Sequence, residues 1–210
     1  GTLCTSVNHE VVHGVPTRDI ILRTGDIIGL DIGMQWPASK STVNSQQSTG
    51  MPNDCRLTTV GLFTDTAVTV GVGKISKDAR RLIEVTREAL TAGIAAARVQ
   101  SRTSDIAKAV QRVVEDAGFS VVRDLVGHGV GRAVHEEPQV PNFWDSRHTD
   151  TVLLDGHVIA IEPMVNAGAW RVAVQPDGWT ITTADHSLSA HFEHTVLITK
   201  EGTEVLPRAA

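Results

Sequence analysis

The stretch DIIGLDI, residues 26–32, is an isoleucine-rich apolar run that follows the turn pair Thr24-Gly25. Apolar runs of this length after a glycine turn are typical of buried strands. Asp31 lies inside this run. A carboxylate in a buried strand is costly unless it is paired, hydrogen-bonded or bound to a metal ion. The stretch therefore predicts a strand that carries either a site residue or an edge carboxylate that reaches solvent.

Two different patterns follow this strand. The run from Trp36 to Asp54 is rich in Ser, Thr, Gln, Asn, Gly and Pro, which predicts an exposed loop of unusual length. Residues 66–72, TAVTVGV, alternate weakly between apolar and polar side chains and predict a second strand.

Helical periodicity begins at Ser76, where apolar residues recur on one face up to Ala97. A second amphipathic helix is predicted with Thr103 or Ser104 as its N-cap and Gly118 just past its end. The remaining chain predicts strands over residues 120–126, 152–161, 170–175, 179–183 and 194–199. Two helices with six or seven strands predict one α+β domain.

Composition excludes several classes of protein. No run of eighteen apolar residues could span a bilayer, so we expect no membrane insertion. The net charge is −5 and the nineteen Lys and Arg residues are scattered, which argues against direct nucleic-acid binding. Cys4 and Cys55 are too few for a disulfide framework, so a reducing, cytoplasmic location is expected.

The segment GHGVGRAVHEEP, Gly127 to Pro138, has two histidines seven residues apart with three glycines around the first. Glycine next to histidine lets backbone and ligand approach where a Cβ would not fit. A glycine-rich turn with solvent-exposed histidines is the alternative interpretation.

Two further carboxylates, Glu162 in VIAIEPM and Glu193 in AHFEHTVLI, also lie in strand-like apolar segments. Together with Asp31 and the histidine segment, they favour a common explanation. Carboxylates combined with a single imidazole suit divalent ions such as manganese, iron, cobalt or zinc better than a thiolate zinc site. The sequence therefore predicts a divalent-metal site.

Six segments in the expected order resemble type I methionine aminopeptidases of the pita-bread metallopeptidase superfamily. They are CTSVNHEVVHGVP (residues 4–16), GDIIGLDIG (25–33), FTDTAVTVGVG (63–73), GHGVGRAVHEEPQV (127–140), IEPMVNAG (161–168) and DGWTITTADHSLSAHFEHTVLIT (177–199). The resemblance implies the pita-bread (creatinase/aminopeptidase-like) fold, a curved antiparallel sheet with covering helices, and a single metallopeptidase domain over residues 1–210.

The same resemblance implies five metal ligands and two divalent ions, whether Co, Mn, Fe, Zn or Ni. One ion would be held by Asp31, Asp65 and Glu193, and the other by Asp65, His128, Glu162 and Glu193. Two such ions would share a hydroxide that attacks the first peptide bond and releases N-terminal methionine.

Three catalytic roles are also implied. Glu162 would accept the proton of the attacking water, and His135 would hydrogen-bond the scissile carbonyl. His13 would contact the scissile amide nitrogen and so bind substrate as well.

Four further positions are implied to bind substrate. Cys4 and Trp179 match positions that line the methionine pocket. Val134 stands where the family commonly has Phe, which should widen that pocket and motivates an alternative activity on Xaa-Pro bonds. His191 stands where the family has Gln, which adds a titratable group near the metals.

Two larger departures accompany the resemblance. The helical region that precedes these motifs in the family has no counterpart here, so the N-terminal half of the fold is expected to be incomplete. Residues 34–57 are expected to form an inserted loop between the two aspartate strands. These departures motivate a third interpretation, a non-catalytic binding protein or a truncated fragment. Peptide or nascent-chain N-termini are the expected partners, and association with the ribosome is a further expectation. A monomer is expected, with an oligomer as the alternative.

Overall fold

A computed structural model describes residues 2–36 and 61–206 of the chain. These residues form two helices and fourteen strands, which confirms the α+β class. In chain order the elements are β1 (Thr2–Val7), β2 (Glu10–Val12), β3 (Ile27–Trp36), β4 (Leu62–Gly71), α1 (Lys77–Ala96), α2 (Thr103–Asp116), β5 (Ser120–Val121), β6 (Val126–Gly129), β7 (Glu136–Pro141), β8 (Val158–Ile161), β9 (Met164–Asn166), β10 (Val172–Val174), β11 (Ile181–Thr183), β12 (Ser189–His191), β13 (Glu193–Thr199) and β14 (Gly202–Leu206).

The main sheet has eight antiparallel strands in the order β1-β3-β4-β13-β8-β6-β7, and β14 pairs with β13 off this path. β3 and β4 are paired along their whole length, from Ile27 opposite Gly71 to Trp36 opposite Leu62. β13 joins the two halves of the sheet, because Glu193 and His194 pair with β4 while His194 to Leu197 pair with β8. Two three-stranded sheets, β10-β11-β2 and β12-β9-β5, complete the described fold.

Both predicted helices are confirmed, with one correction at an end. The Ser76 hydroxyl accepts a hydrogen bond from the Ala79 amide at 3.0 Å and caps α1. The N-cap of α2 is Arg102, so Thr103 is the first helical residue rather than the cap. Gly118 follows the C-cap of α2 with φ +82°, the left-handed conformation that favours glycine. Neither helix of the described chain is long and apolar enough to cross a membrane.

The main core lies between the helices and the central strands of the large sheet. Its helical side chains are predominantly aliphatic and buried, and many of its sheet side chains come from β8 and β13. They include Leu82, Ala89, Leu90, Ile106, Val110, Val114, Ile159, Ile161, Val196 and Ile198.

The strand predictions are confirmed in the middle of the sheet and wrong in detail elsewhere. Residues 120–126 form β5 and only the first residue of β6, not one continuous strand. Within 152–161 only β8 is a regular strand, because the chain turns at Gly156, which has φ +88°. The short strands β1, β2, β7, β9, β12 and β14 were not anticipated.

The first three residues of the expected insertion over residues 34–57 belong to a strand instead. Met34 to Trp36 continue β3 and pair with Leu62 to Thr64 of β4. Residues 37–57, and with them most of the polar run and Cys55, lie outside the described residues.

Candidate metal centre

A row of polar side chains crosses the main sheet, and its members follow the order of the strands. Cys4 of β1 pairs with Asp31 of β3, and Asp31 pairs with Ala67, two residues beyond Asp65 in β4. Glu193, the first residue of β13, pairs with the same Ala67 from the other side. Glu162 directly follows β8. Sheet pairing therefore assembles side chains that are far apart in sequence.

One cavity of about 580 Å³ opens over this row. All five residues predicted as metal ligands line it, together with three histidines predicted to act on or bind substrate. The five are Asp31, Asp65, His128, Glu162 and Glu193, and the three are His13, His135 and His191. The structure thus brings together eight of the predicted site residues.

Asp65, His128 and Glu193 form the tightest group in the cavity. One possible ligand atom from each lies within 4.8 Å of the others. Glu193 and His128 are buried, and Asp65 is partly buried. Three such donors at this separation can converge on one ion after small side-chain adjustments.

His128 is held between two glycines that the neighbouring strands require. A Cβ at Gly127 would lie 2.4 Å from the Ala160 carbonyl oxygen, and one at Gly129 would lie 2.2 Å from that of Glu137. His128 Nδ1 is 2.9 Å from the Gly129 carbonyl oxygen, and Nε2 is 3.4 Å from Glu162 Oε1. Burial lowers the pKa of His128, which favours a neutral ring with Nε2 available to a metal.

Threonine hydroxyls connect β4 to β13 behind the carboxylates. Thr195 Oγ1 accepts from the Asp65 amide and donates to the Asp65 carbonyl, both at 2.8 Å. Thr66 Oγ1 donates to the Glu193 carbonyl oxygen at 2.9 Å. These bonds hold the backbones of Asp65 and Glu193 side by side. Such support is what keeps ligand side chains in a fixed geometry.

The carboxylates repel one another because they lie close together and are largely buried. Burial, then the charge of Asp65 and a hydrogen bond between the two carboxyl groups, raise the pKa of Asp31 to about 7. Burial, reinforced by neighbouring carboxylates, also raises the pKa of Glu162 and of Glu193 well above the ordinary value. A bound cation would offset this repulsion.

The donor set fits a divalent ion on two further observations. Glu193 Oε1 is buried and has no hydrogen-bond partner within residues 2–36 and 61–206, which is unusual for a carboxylate oxygen. Four carboxylates and one imidazole also provide the hard oxygen and nitrogen ligands that divalent first-row ions accept. The residues present therefore suit divalent-metal binding.

The three other cavity histidines occupy different environments. His135 is exposed, and its ring centroid lies 4.3 Å from that of His128. His13 has φ +61° and stacks on Trp179 at 4.9 Å, and burial lowers its pKa. His191 is 4 % exposed, and burial lowers its pKa to about 3.

Three predicted substrate-binding residues do not line the cavity itself. Cys4 is partly buried beside Asp31, and burial raises its pKa while the nearby Trp179 side chain acts in the opposite direction. Trp179 is 56 % exposed. Val134 is partly buried next to His135. Their roles stay predictions.

Residues of the site that were not anticipated are mostly uncharged. Val12, Leu125 and Met164 line the cavity and form one apolar wall. The supporting threonines, Thr66 and Thr195, carry no motif of their own. Only Met164 had a signal, because it lies within the segment IEPMVNAG beside Glu162.

Comparison with known proteins also indicates a metallopeptidase. Residues 53–200 match Metallopeptidase family M24. A methionine aminopeptidase of Clostridium perfringens is 45% identical over 205 residues, which cover 98% of this chain and 72% of the relative. Methionine aminopeptidase 1 of Bacillus subtilis is 42% identical over 208 residues, which cover 99% of this chain and 74% of the relative.

Solved structures give a consistent result. The crystal structure of a methionine aminopeptidase from Thermotoga maritima superposes with a TM-score of 0.82 at 41% identity, covering 99% of this chain and 74% of that one. A prolidase from Pyrococcus horikoshii superposes with a TM-score of 0.68 at 20% identity, covering 99% of this chain and 48% of that one. The prolidase likeness shows a shared fold only.

Proposed function

This chain belongs to Metallopeptidase family M24, and from that premise we propose that it is a metal-dependent aminopeptidase that releases methionine from peptide N-termini. The observation that carries the proposal is the convergence of four carboxylates and one imidazole in one cavity. Relatives named methionine aminopeptidase, 38–45% identical to this chain, support the choice of substrate.

In this proposal two divalent ions occupy the cavity. Asp31, Asp65 and Glu193 would hold one ion, and Asp65, His128, Glu162 and Glu193 the other. The raised pKa of Asp31 and the unpartnered oxygen of Glu193 support this assignment. Bound ions of this kind lower the pKa of water and neutralise negative charge on a carbonyl oxygen.

The chain's own residues would orient the peptide and move the protons. Glu162 would accept a proton from the attacking water, since it lies beside His128 at the base of the cavity. His135 and His13 would donate hydrogen bonds to the carbonyl oxygen and to the leaving nitrogen. Both line the same cavity, and His13 is held by its stack on Trp179.

We assign the methionine side chain of the substrate to the Cys4 end of the row of polar side chains, close to Trp179. Cys4 pairs with Asp31, and the Trp179 side chain is close enough to lower the pKa of the Cys4 thiol. A soft thiol and an indole suit a thioether. Val134, next to His135, would border this end. The substrate is a peptide or nascent-chain N-terminus.

Activity on Xaa-Pro bonds is less supported. Prolidase and dipeptidase structures are 18–22% identical to this chain, whereas methionine aminopeptidase structures are 35–41% identical.

The test uses purified protein reconstituted with manganese or cobalt. Release of methionine from a Met-Ala-Ser peptide, loss of release with a chelator, and no hydrolysis of an Ala-Pro peptide are the expected results. Glu193→Gln should remove activity and stoichiometric metal together, whereas Glu201→Gln, at an exposed position in the turn before β14, should change neither. Full metal content with an intact Met-Ala-Ser peptide would contradict the proposal.

A further inference from the structure

Glu162 stands on a two-residue connection between two sheets. β8 of the main sheet ends at Ile161, β9 of a small sheet begins at Met164, and Glu162 and Pro163 lie between them. Neither residue belongs to a strand, so strand pairing does not fix the peptide plane that joins them. Proline has no amide hydrogen, which leaves the Glu162 carbonyl oxygen as the group through which that peptide can be anchored.

Asn142 supplies this anchor. Its Nδ2 atom donates a hydrogen bond of 3.0 Å to the Glu162 carbonyl oxygen. Asn142 directly follows β7, whose last residue, Pro141, pairs with Val126 at the start of β6. β6 lies between β7 and β8 in the main sheet. The Asn142 side chain therefore reaches past the beginning of β6 to the point where the chain leaves β8.

The burial of Asn142 has a cost. Asn142 is 1% exposed, and its Oδ1 atom has no hydrogen-bond partner among the residues that the structure describes. A buried amide oxygen without a partner lowers the stability of the folded state. The bond from Nδ2 offsets this loss, and it is directed at the backbone of a predicted metal ligand.

The anchored backbone carries the Glu162 side chain into the cavity. Glu162 Oε1 lies 3.4 Å from His128 Nε2, and both residues line the cavity. Asn142 lies behind the cavity wall, because it is buried and is not among the described residues that line the cavity. Asn142 can therefore act on this part of the site through Glu162, without contacting a bound peptide.

We propose that Asn142 is a positioning residue, which keeps the Glu162 carboxylate beside His128 so that both can bind the same divalent ion. The inference rests on the proposed function, in which Glu162 binds one of two ions and also accepts a proton from water. Replacing a residue that orients a metal ligand typically weakens metal binding about ten- to hundredfold. Loss of the Asn142 donor should therefore weaken one ion selectively.

The first measurement is manganese binding, followed by calorimetric titration of protein that a chelator has freed of metal. Asn142→Leu keeps a side chain of similar size but removes the donor. Asn142→Ala removes the donor without adding bulk, in case leucine is not accommodated. In both variants we expect the Kd of one manganese ion to rise about ten- to hundredfold and that of the other to change less than about threefold.

Asn166→Leu is the matched control. Asn166 is 0% exposed, and its Nδ2 atom donates to the Ala169 carbonyl oxygen at 2.9 Å. It is thus a second buried asparagine that anchors a backbone carbonyl, but its partner is not a predicted metal ligand. We expect this variant to lower the melting temperature, as Asn142→Leu does, and to leave both manganese Kd values unchanged.

Hydrolysis of Met-Ala-Ser at saturating manganese gives a second readout. Both ions are then bound, and the remaining defect is proton transfer by a misplaced Glu162. We expect kcat of the Asn142 variants to fall about tenfold, part of the contribution of a general base. KM should change less than about twofold, because Asn142 does not line the cavity.

Three outcomes overturn the inference. One is a pair of manganese Kd values that stays unchanged in both Asn142 variants, and another is an equal weakening in Asn166→Leu. The third is failure of both Asn142 variants to fold, which would assign the bond to folding alone. If the wild type binds two manganese ions and hydrolyses Met-Ala-Ser, only the inference fails. If the wild type does neither, the proposed function fails with it.

Discussion

One face of the main sheet differs sharply between its two halves. Over β8 and β13 the face is covered by α1 and α2, and Ile159, Ile161 and Val196 are 0% exposed. Over β3 and β4 the same face carries Met34 and Val68 at 45% and 40% exposure. Apolar burial therefore stabilises the covered half far more than the open half.

The metal site draws on both halves. Glu162, Glu193 and His128 come from the covered half, whereas Asp31 and Asp65 come from the open hairpin. The covered half has its geometry set by packing. The positions of Asp31 and Asp65 depend instead on strand pairing and on the hydrogen bonds between the Asp65 backbone and Thr195 of β13. A rigid scaffold can therefore supply part of a metal site while the position of the remaining ligands depends on strand pairing.

Loss of a ligand should have the largest effect, whichever half supplies it. We expect Glu193→Gln and Asp31→Asn each to reduce kcat/KM on Met-Ala-Ser by about a thousandfold or more. The measurement is peptide hydrolysis at saturating manganese, with metal content determined alongside. Near-normal activity in Asp31→Asn alone would mean that the covered half is sufficient for catalysis.

The stability of the metal-free protein should fall as pH rises. The folded-state pKa of Asp31 is raised to about 7 from its ordinary value of 3.8, so the folded state binds its proton more tightly than the unfolded state. This contribution is fully present below pH 4 and is lost as pH rises through about 7. Buried Glu162 and Glu193 act in the same direction.

Between pH 5 and 8 we expect a loss of about 3 kcal/mol in the free energy of unfolding, measured by urea denaturation in chelator. Saturating manganese should reverse most of the loss, because ions bind the folded state. A metal-free protein that is equally stable at both pH values would contradict the electrostatic argument.

A valine-to-alanine substitution in each half tests whether the helices cover only one half of the sheet. Val196 is 0% exposed and Val68 is 40% exposed. Val196→Ala should cost about 2 kcal/mol of unfolding free energy, since it leaves a cavity in the core. Val68→Ala should cost less than about 0.5 kcal/mol. Equal losses in thermal or urea denaturation would show that the open face is covered in solution.

A smaller effect than that of Val196→Ala is expected where one threonine of the open half bonds to β12 of a small sheet. Thr69→Val removes both hydrogen bonds to the His191 backbone and should cost about 1 kcal/mol. Thr91→Val, an exposed threonine of α1 that bonds the Arg87 carbonyl within its own helix, is the matched control.

Much of the fold could be predicted from local pattern. The helices at Lys77–Ala96 and Thr103–Asp116 follow from apolar periodicity and from the capping signals at Ser76 and Gly118. The strand around Asp31 follows from its apolar run. Short strands such as β12 could not be predicted, because three residues carry no measurable alternation and are defined only by their partners.

In the candidate site, too, some residues could be predicted from the sequence and others could not. Asp31, Glu162 and Glu193 stand out because carboxylates are costly in apolar strands, whereas Asp65 was identified only through the family resemblance. Val12 and Leu125 carry no such signal, and their place in the cavity depends on how the small sheets pack.

By itself the sequence determined which side chains could bind a divalent ion, since ligand chemistry belongs to residue types, and it determined the helices, since their periodicity is local. Only the tertiary structure decided the order of those ligands across the sheet, the covering of one half, and the Glu193 oxygen that has no hydrogen-bond partner among the described residues. Those features arise from pairing between strands distant in the chain, and no local pattern encodes which distant partner a strand will meet.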